Sequence, residues 1–240
     1  MHSPKKILAL IGARKGSKGL KNKNILEFAG KPLISWTIEA SLRSKYIDHT
    51  LVSTDGENIA RIAKAVGADV PFLRPARLAT DKALIGDVLR HALLWLKENQ
   101  GKTYDYLMLL QPTSPLRTTR HIDEAIAYYF RHRKTPNDTL VSVIKAPAKM
   151  AWLMQKDKKG YIDFCFDIKG QKHRRQNAPS YYLPNGLIYL APTAVIRRGN
   201  FYSSNTLPFV MDKKVSIDID SPEDFKHALK MFLLRKASVL

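Results

Sequence analysis

The stretch Ala13-Arg14-Lys15-Gly16-Ser17-Lys18-Gly19-Leu20-Lys21-Asn22-Lys23-Asn24 places two glycines and five cations directly after an apolar run. Glycines let successive backbone amides turn inward, and amides combined with Lys and Arg side chains make a cradle for an anion such as a phosphate. The spacing is not that of a Walker loop. Counting from Gly12, Ser17 stands where the second glycine is required, and Lys18 is followed by Gly19 instead of Ser or Thr. Nor is it the dinucleotide pattern G-x-G-x-x-G. A solvated basic loop has the same composition, and only the position after a first strand favours the cradle.

Asp218 and Asp220 lie two apart in a strand-like run, Ser216-Ile217-Asp218-Ile219-Asp220. Extended backbone sends both carboxylates to one face and Ile217 and Ile219 to the other. Paired carboxylates repel unless they are solvated or joined by a cation, and Mg²⁺ takes one or two carboxylates plus substrate phosphates. An exposed strand face ahead of a helix cap is the competing reading. Gln111-Pro112-Thr113-Ser114-Pro115-Leu116-Arg117 closes another apolar run with a stiff polar loop, which either faces a crevice or turns into a helix capped near Thr119. Arg74-Pro75 by itself is most simply a surface turn.

Other chemistry is not encoded. The seven histidines have no metal-ligand spacing, and His121 and His227 read as helix-surface residues. Cys165, the single cysteine, has no partner for a disulfide or a metal cluster and reads as a small hydrophobe. Tyr181, Tyr182 and Trp152 read as core or interface residues.

The elements that must position these groups alternate. Lys6 to Gly12 is an apolar run fit for a strand buried on both faces. Pro32 opens a helix with Ile34, Ile38, Ser41 and Leu42 at helical spacing, and a strand from Thr50 to Ser53 follows. Asp55 is placed to cap a helix with Ile59, Ile62, Ala63 and Val66 inward and Gly67 at its end. A strand through Val70 and Phe72 comes next. Asp81 then precedes a helix with Leu84, Val88, Leu89, Ala92, Leu93 and Leu96 on one side, and Tyr106 to Leu110 is a further strand. Such alternation implies a parallel sheet covered on both faces, with ligands at the carboxyl ends of the strands, which singles out the residues after Ile11, Ser53 and Leu110. From about 139 the rhythm changes: Val141 to Ile144, Tyr161 to Phe166 and Leu187 to Leu190 read as strands of a β-rich excursion from the main sheet. Ser221 and Pro222 start a last helix with Phe225, Leu229, Phe232 and Leu233 inward.

The 240 residues suit one α/β domain, 1–240, carrying the excursion at about 145–185. At 45% hydrophobic and 25% charged residues the chain has the composition of a globular protein. Its first apolar run, Ile7 to Ile11, lacks the length of a secretory signal, and no stretch nears the roughly 18 apolar residues of a membrane span. A cytoplasmic protein without membrane partners is expected. The balance of 40 Lys+Arg against 21 Asp+Glu gives +19, which fits nucleic acid, a small polyanion or plain solubility. No long basic tract, zinc-finger spacing or aromatic-interleaved basic motif is present, so nucleic acid is not the expected partner.

Taken together, the Ala-Arg-x-x-Ser-Lys-Gly loop ending in Lys23-Asn24, Ser53-Thr54-Asp55, Leu73-Arg74-Pro75 with Leu78-Ala79-x-Asp81, Leu109 to Arg117, Arg175-Gln176, Pro184-Asn185-Gly186 with Ile188-Tyr189, and Asp218-Ile219-Asp220 resemble the acylneuraminate cytidylyltransferases, which make CMP-sialic acid and its relatives. The resemblance implies a Rossmann-like nucleotidyltransferase fold, a three-layer doubly wound mostly parallel sheet with a small β-rich dimerisation excursion. It implies that CTP lies over the first loop, where the anomeric hydroxyl of a nine-carbon acid sugar attacks the α-phosphorus and pyrophosphate leaves. By similarity Ala13, Arg14, Ser17, Lys18, Gly19 and Lys23 would hold the triphosphate, with Asn24 and Arg74 seating the nucleotide. Gln111, Asn185 and Tyr189 would line the sugar site, and Asp218 and Asp220 would hold Mg²⁺ or Mn²⁺. Arg14, Lys23 and Asp218 would be catalytic, and the protein would be a homodimer. Two places depart from the family pattern: Leu183 stands where many relatives have Arg, and Ala146-Pro147-Ala148 where they have a His-Pro pair. Sialic, legionaminic and pseudaminic acids are all compatible with the resemblance; transferases of 3-deoxy-octulosonate or of a sugar 1-phosphate are the alternatives.

Overall fold

The computed structural model of the chain describes residues 5–16, 19–165, 180–199 and 201–237. Strand β1 (Ile7–Gly12) is apolar at every position because helices cover both of its faces. Ile7, Ala9 and Ile11 enter the core on one side of the sheet and Leu8 and Leu10 the core on the other, the two-residue period of a strand. After a turn at Lys23–Ile25, a short antiparallel pair, β2 (Glu27–Phe28) and β3 (Lys31–Pro32), leads into α1 (Leu33–Leu42). Ile34, Ile38 and Ser41 are buried, whereas Leu42 is exposed.

Strand β4 (His49–Ser53) and helix α2 (Glu57–Val66) follow, and Gly67 ends the helix with φ +106°. Asp55 does not cap α2. Gly56 occupies the N-cap, and the Asp55 carboxylate instead accepts the Lys15 N–H at 2.8 Å, tying the loop after β1 to the loop after β4. The expected strand through Val70 and Phe72 reduces to two parallel bridges, Leu51 with Asp69 and Thr54 with Leu73. Pro71 has no N–H for a continuous ladder. Helix α3 (Ile85–Gln100) buries Val88, Leu89, Ala92, Leu93 and Leu96 but leaves Leu84 exposed at its N-cap.

Next come β5 (Tyr106–Leu110), α4 (Thr119–His132), β6 (Thr139–Lys145), β7 (Met154–Lys156), β8 (Ile162–Phe164), β9 (Tyr182–Pro192), α5 (Thr193–Arg198), β10 (Thr206–Val210) and α6 (Pro222–Ala237). Thr118 caps α4 in a reciprocal capping box with His121, which is therefore half-buried instead of a surface residue. The main sheet has six strands in the order β10-β6-β9-β5-β1-β4, and β9 runs antiparallel to its two neighbours. Helices α1, α2 and α4 pack on one face and α3 and α5 on the other, giving the three-layer mostly parallel architecture. The runs Val141–Ile144 and Leu187–Leu190 are thus interior strands of this sheet. Of the strands expected in the excursion, the β7–β8 hairpin is the described part that stands outside this sheet, and Phe166 lies outside the described residues.

A third apolar cluster joins the two ends of the chain. Phe28, Leu33 and Leu116 pack with Ile217 and Ile219, and with Phe225, Leu229 and Phe232 of α6, while Leu233 is exposed. Full burial of each isoleucine stabilises by about 1.5–3 kcal/mol. The 216–220 segment has no regular secondary structure and belongs to no sheet, and the Ile219 N–H bonds the Thr113 carbonyl at 3.0 Å. Reciprocal bonds between Ser221 and Asp224 start α6, the Asp224 N–H reaching Ser221 Oγ at 3.1 Å and the Ser221 N–H reaching Asp224 at 2.9 Å. Burying the two isoleucines turns Asp218 and Asp220 the other way, toward the loop that follows β1.

Candidate active site

A cleft of about 480 Å³ opens at the carboxyl ends of β1 and β5, and Gly12, Arg14, Gly19, Lys23, Asn24, Arg74, Gln111, Asp218 and Asp220 all line it. The cationic loop is built into this wall by backbone contacts. Ala13 is buried in the core and extends the β1–β4 pairing through its N–H to the Ser53 carbonyl at 3.0 Å. Asn24, also buried, donates from Nδ2 to the Arg14 carbonyl at 3.1 Å. A Cβ on Gly19 would fall 2.1 Å from the Asp220 carbonyl oxygen, so this close approach of two backbones requires glycine. Ser17 and Lys18 lie outside the described residues, as do Arg175 and Gln176.

Charge is distributed across the cleft in pairs. Arg14 donates to Asp81 at 2.5 Å, so Asp81, read from the sequence only as preceding a helix, is the partner of an arginine in the loop after β1. Lys23, only 13% exposed along its side chain, reaches the 77% exposed Asp220 at 2.7 Å. Arg74 is not a surface residue: it is buried, donating from Nε to Ser53 Oγ at 3.0 Å and from its terminal nitrogen to the Ser53 carbonyl. Burial pushes its pKa down to about 10, with the Asp55 charge opposing this and Arg14 adding to it, so it stays cationic at neutral pH.

Asp218 is half-buried and accepts the Thr113 hydroxyl. Desolvation pushes its carboxyl pKa up, the Thr113 hydrogen bond opposes that, and the Asp220 charge pushes it further up. The two carboxylates thus sense each other, and the chemistry of the pair, oxygen donors lining one cleft, fits a hard divalent cation. Behind them, β9 bulges where its register against β6 shifts between Val141 and Val143. Gly186 takes φ +78° at this bulge, and a Cβ there would lie 3.2 Å from Asp218 Oδ2. Asn185 stabilises the bulge, accepting from Ser142 Oγ at 2.6 Å and donating to Ser216 Oγ at 2.9 Å. Tyr189 packs against Phe201 and Tyr202, its hydroxyl pKa raised by burial. Neither Asn185 nor Tyr189 lines the cleft, whereas Gln111 does.

Three residues escaped sequence reasoning. Asp81 and Thr113 were visible in their motifs but had no assigned chemistry. Arg117 is the third: it is wholly buried beneath the cleft floor, donating to the Leu187 carbonyl at 2.7 Å, to Thr37 Oγ1 at 2.6 Å and to the Gln111 carbonyl at 2.9 Å. Burial lowers its pKa to about 9 against the opposing pull of Asp218. No local pattern marks an arginine for complete burial, because its acceptors come from distant parts of the chain.

With this geometry in hand, the similarities are informative. The family model described as Cytidylyltransferase matches residues 8–235. The N-acylneuraminate cytidylyltransferase of Escherichia coli O18:K1:H7 is 39% identical over 93% of this chain and 51% of its own length. The CMP-N,N'-diacetyllegionaminic acid synthase of Legionella pneumophila is 36% identical over 98% of this chain and 100% of its own. This chain spans about half the length of the first of these (51%) and of the Streptococcus agalactiae N-acylneuraminate cytidylyltransferases (52%). The fold is shared with CMP:2-keto-3-deoxy-manno-octonic acid synthetase in its CTP complex, at TM-score 0.69 and 16% identity, covering 96% of this chain and 99% of that one. The match along nearly the whole sequence, and the fold that carries it, place this chain in the cytidylyltransferase family.

Proposed function

We propose that this protein transfers CMP from CTP to the anomeric hydroxyl of an acidic nonulosonate sugar of the sialic, legionaminic or pseudaminic type, releasing pyrophosphate. One observation carries the reading: the cationic loop after β1 and the acidic pair near the C-terminus share a single cleft, joined where Lys23 meets Asp220 at 2.7 Å. The Legionella relative, alike in length, makes a CMP-linked legionaminic acid by its name, which supports this substrate class.

In this mechanism Arg14, Lys23 and the amides of the glycine loop bind the triphosphate and spread its charge. Arg74, held rigid by Ser53, fixes one side of the nucleotide, and Gln111 lines the same cleft as the acids. The sugar hydroxyl gives its proton to solvent water as its oxygen bonds to the α-phosphorus, and the bond from that phosphorus to the bridging oxygen breaks with its electron pair leaving on pyrophosphate. Holding the two reactants in line supplies roughly 7–11 kcal/mol of such a barrier, so no covalent nucleophile is needed. Asp218 and Asp220 would hold Mg²⁺ or Mn²⁺, which when bound neutralises charge on the phosphate oxygens.

The excursion supports the homodimer in this proposal. Tyr161 (74% exposed) and Ile162 (63% exposed) lie with Leu153, Met154 and Phe164 as uncovered apolar side chains on and beside the β7–β8 hairpin, a surface suited to a second copy. No helix among the described residues is long and apolar enough to cross a membrane; we place the protein in the cytoplasm, where CTP is supplied. Pyrophosphate release from CTP, measured against a panel of nonulosonic acids with 3-deoxy-octulosonate as a control arm, tests the proposal. Release with a nonulosonic acid is expected, and release with none of them overturns it.

A further inference from the structure

On the far side of Arg117 from the catalytic cleft lies a second cavity, of about 400 Å³, between α1, the start of α4 and the end of α6. Its walls are apolar, with Trp36, Leu116 and Phe232 among them, and Arg43, Arg235 and Lys236 stand around it. Glu39 is the one acid in its lining among the described residues, and it is engaged by Lys31 at 2.5 Å and Arg43 at 3.2 Å. The first turn of α4 borders the cavity through Thr118 and Thr119, bringing the positive end of that helix to it. The pKa of His121, in that turn, is pushed below its ordinary value first by burial and then by Arg235, with Glu124 opposing and Arg117 and Arg120 adding to the effect.

Arg117 forms part of the cavity wall and is 2% exposed, with its terminal nitrogens bonded to Leu187, Thr37 and Gln111, so its guanidinium adds a fixed positive charge behind the apolar lining. The volume is that of a small-molecule site, mostly apolar with a few convergent polar groups.

We propose that this cavity binds a small amphipathic anion, an aromatic or alicyclic body bearing one carboxylate or sulfonate, whose ring lies against Trp36 and Phe232 and whose charge faces the arginines. The site is separate from the catalytic cleft and does not depend on the activity proposed for it. Arg117 nevertheless touches both, because it also carries the Gln111 carbonyl of the cleft floor.

The test uses 1-naphthoate as the probe and the indole N–H resonance of Trp36 in the nitrogen-15-labelled full chain as the readout. A saturable shift of that resonance is expected, without a matching shift at Trp95 or Trp152. The neutral 1-naphthalenemethanol should bind at least tenfold more weakly, and the double variant Arg43→Glu with Lys236→Glu should weaken naphthoate by a similar factor at exposed positions that leave the core intact. Saturating CTP should not displace the probe. No saturable shift at Trp36, equal binding of the alcohol, or displacement by CTP would each overturn the site. The two wild-type arms decide the matter even if the double variant does not fold.

Discussion

The Lys23 ammonium and the Asp220 carboxylate, 197 positions apart in sequence, meet at 2.7 Å. The contact closes one wall of the cleft, and it forms because Ile217 and Ile219 are buried against Phe28 and Leu33, just beyond the loop that carries Lys23. Apolar packing in one layer thereby brings the acidic and basic sides of the cleft together.

Replacing Lys23→Ala is expected to lower kcat/KM for CTP by about 10- to 100-fold, the equivalent of one charge-assisted hydrogen bond of roughly 1.5–3 kcal/mol. Steady-state pyrophosphate release measures it. Wild-type kinetics would remove Lys23 from the site.

Asp218→Asn keeps an oxygen to accept the Thr113 hydroxyl, so the fold should survive with an unchanged thermal midpoint. The Mg²⁺ concentration for half-maximal activity should rise at least about tenfold, a typical effect of disturbing a metal's ligand environment. A metal titration of the variant decides this; loss of the folded state would assign the aspartate to structure instead.

At Gly186 the backbone has φ +78° and a Cβ would press on the Asp218 carboxylate at 3.2 Å. Gly186→Ala should cost about 1–2 kcal/mol of stability from the left-handed conformation alone. It should also lower turnover by displacing Asp218, whereas an alanine at exposed Gly101 on the opposite end of the molecule should lower stability only. Urea midpoints and turnover for the two variants make the comparison.

Arg117→Ala removes donors from the Leu187 and Gln111 carbonyls and from Thr37. Opening a cavity there in addition should destabilise by about 3–5 kcal/mol. Arg117→Lys retains the charge without the planar fork and should recover part of the stability but little of the CTP affinity. If both variants matched the wild type in urea, the arginine would not be positioning the floor.

His49, His91 and His121 all have pKa values held below the ordinary 6.5, with burial the leading cause in each. The unfolded chain therefore takes up protons at a higher pH than the native one does. The stability these histidines contribute is complete above about pH 6.5 and declines as pH falls from there through their native pKa values. Urea midpoints should drop between pH 7 and pH 5, and His49→Gln should flatten the profile; a midpoint rising over that interval contradicts the assignment.

What the sequence determined by itself is what depends on near neighbours. The unbroken apolar run Ile7–Ile11 and the spacing of Ile34, Ile38 and Ser41 identified strand and helix because a side chain's direction follows from its own backbone. The same rule oriented Asp218 and Asp220 correctly although no sheet holds them, and the glycine-rich loop after β1 was legible because strand ends locate ligands in this class of fold. Tertiary structure decided where each charge finds its partner. Asp55 has the residue type and position of a helix cap and Asp81 precedes a helix, yet Asp55 takes the Lys15 amide and Asp81 takes Arg14. Arg74 looked like a turn residue and is buried in the wall of the cleft, and Arg117 is enclosed by acceptors from α1, β9 and its own loop. Such pairings balance desolvation against contacts made across the whole chain, a sum that no local window of residues contains.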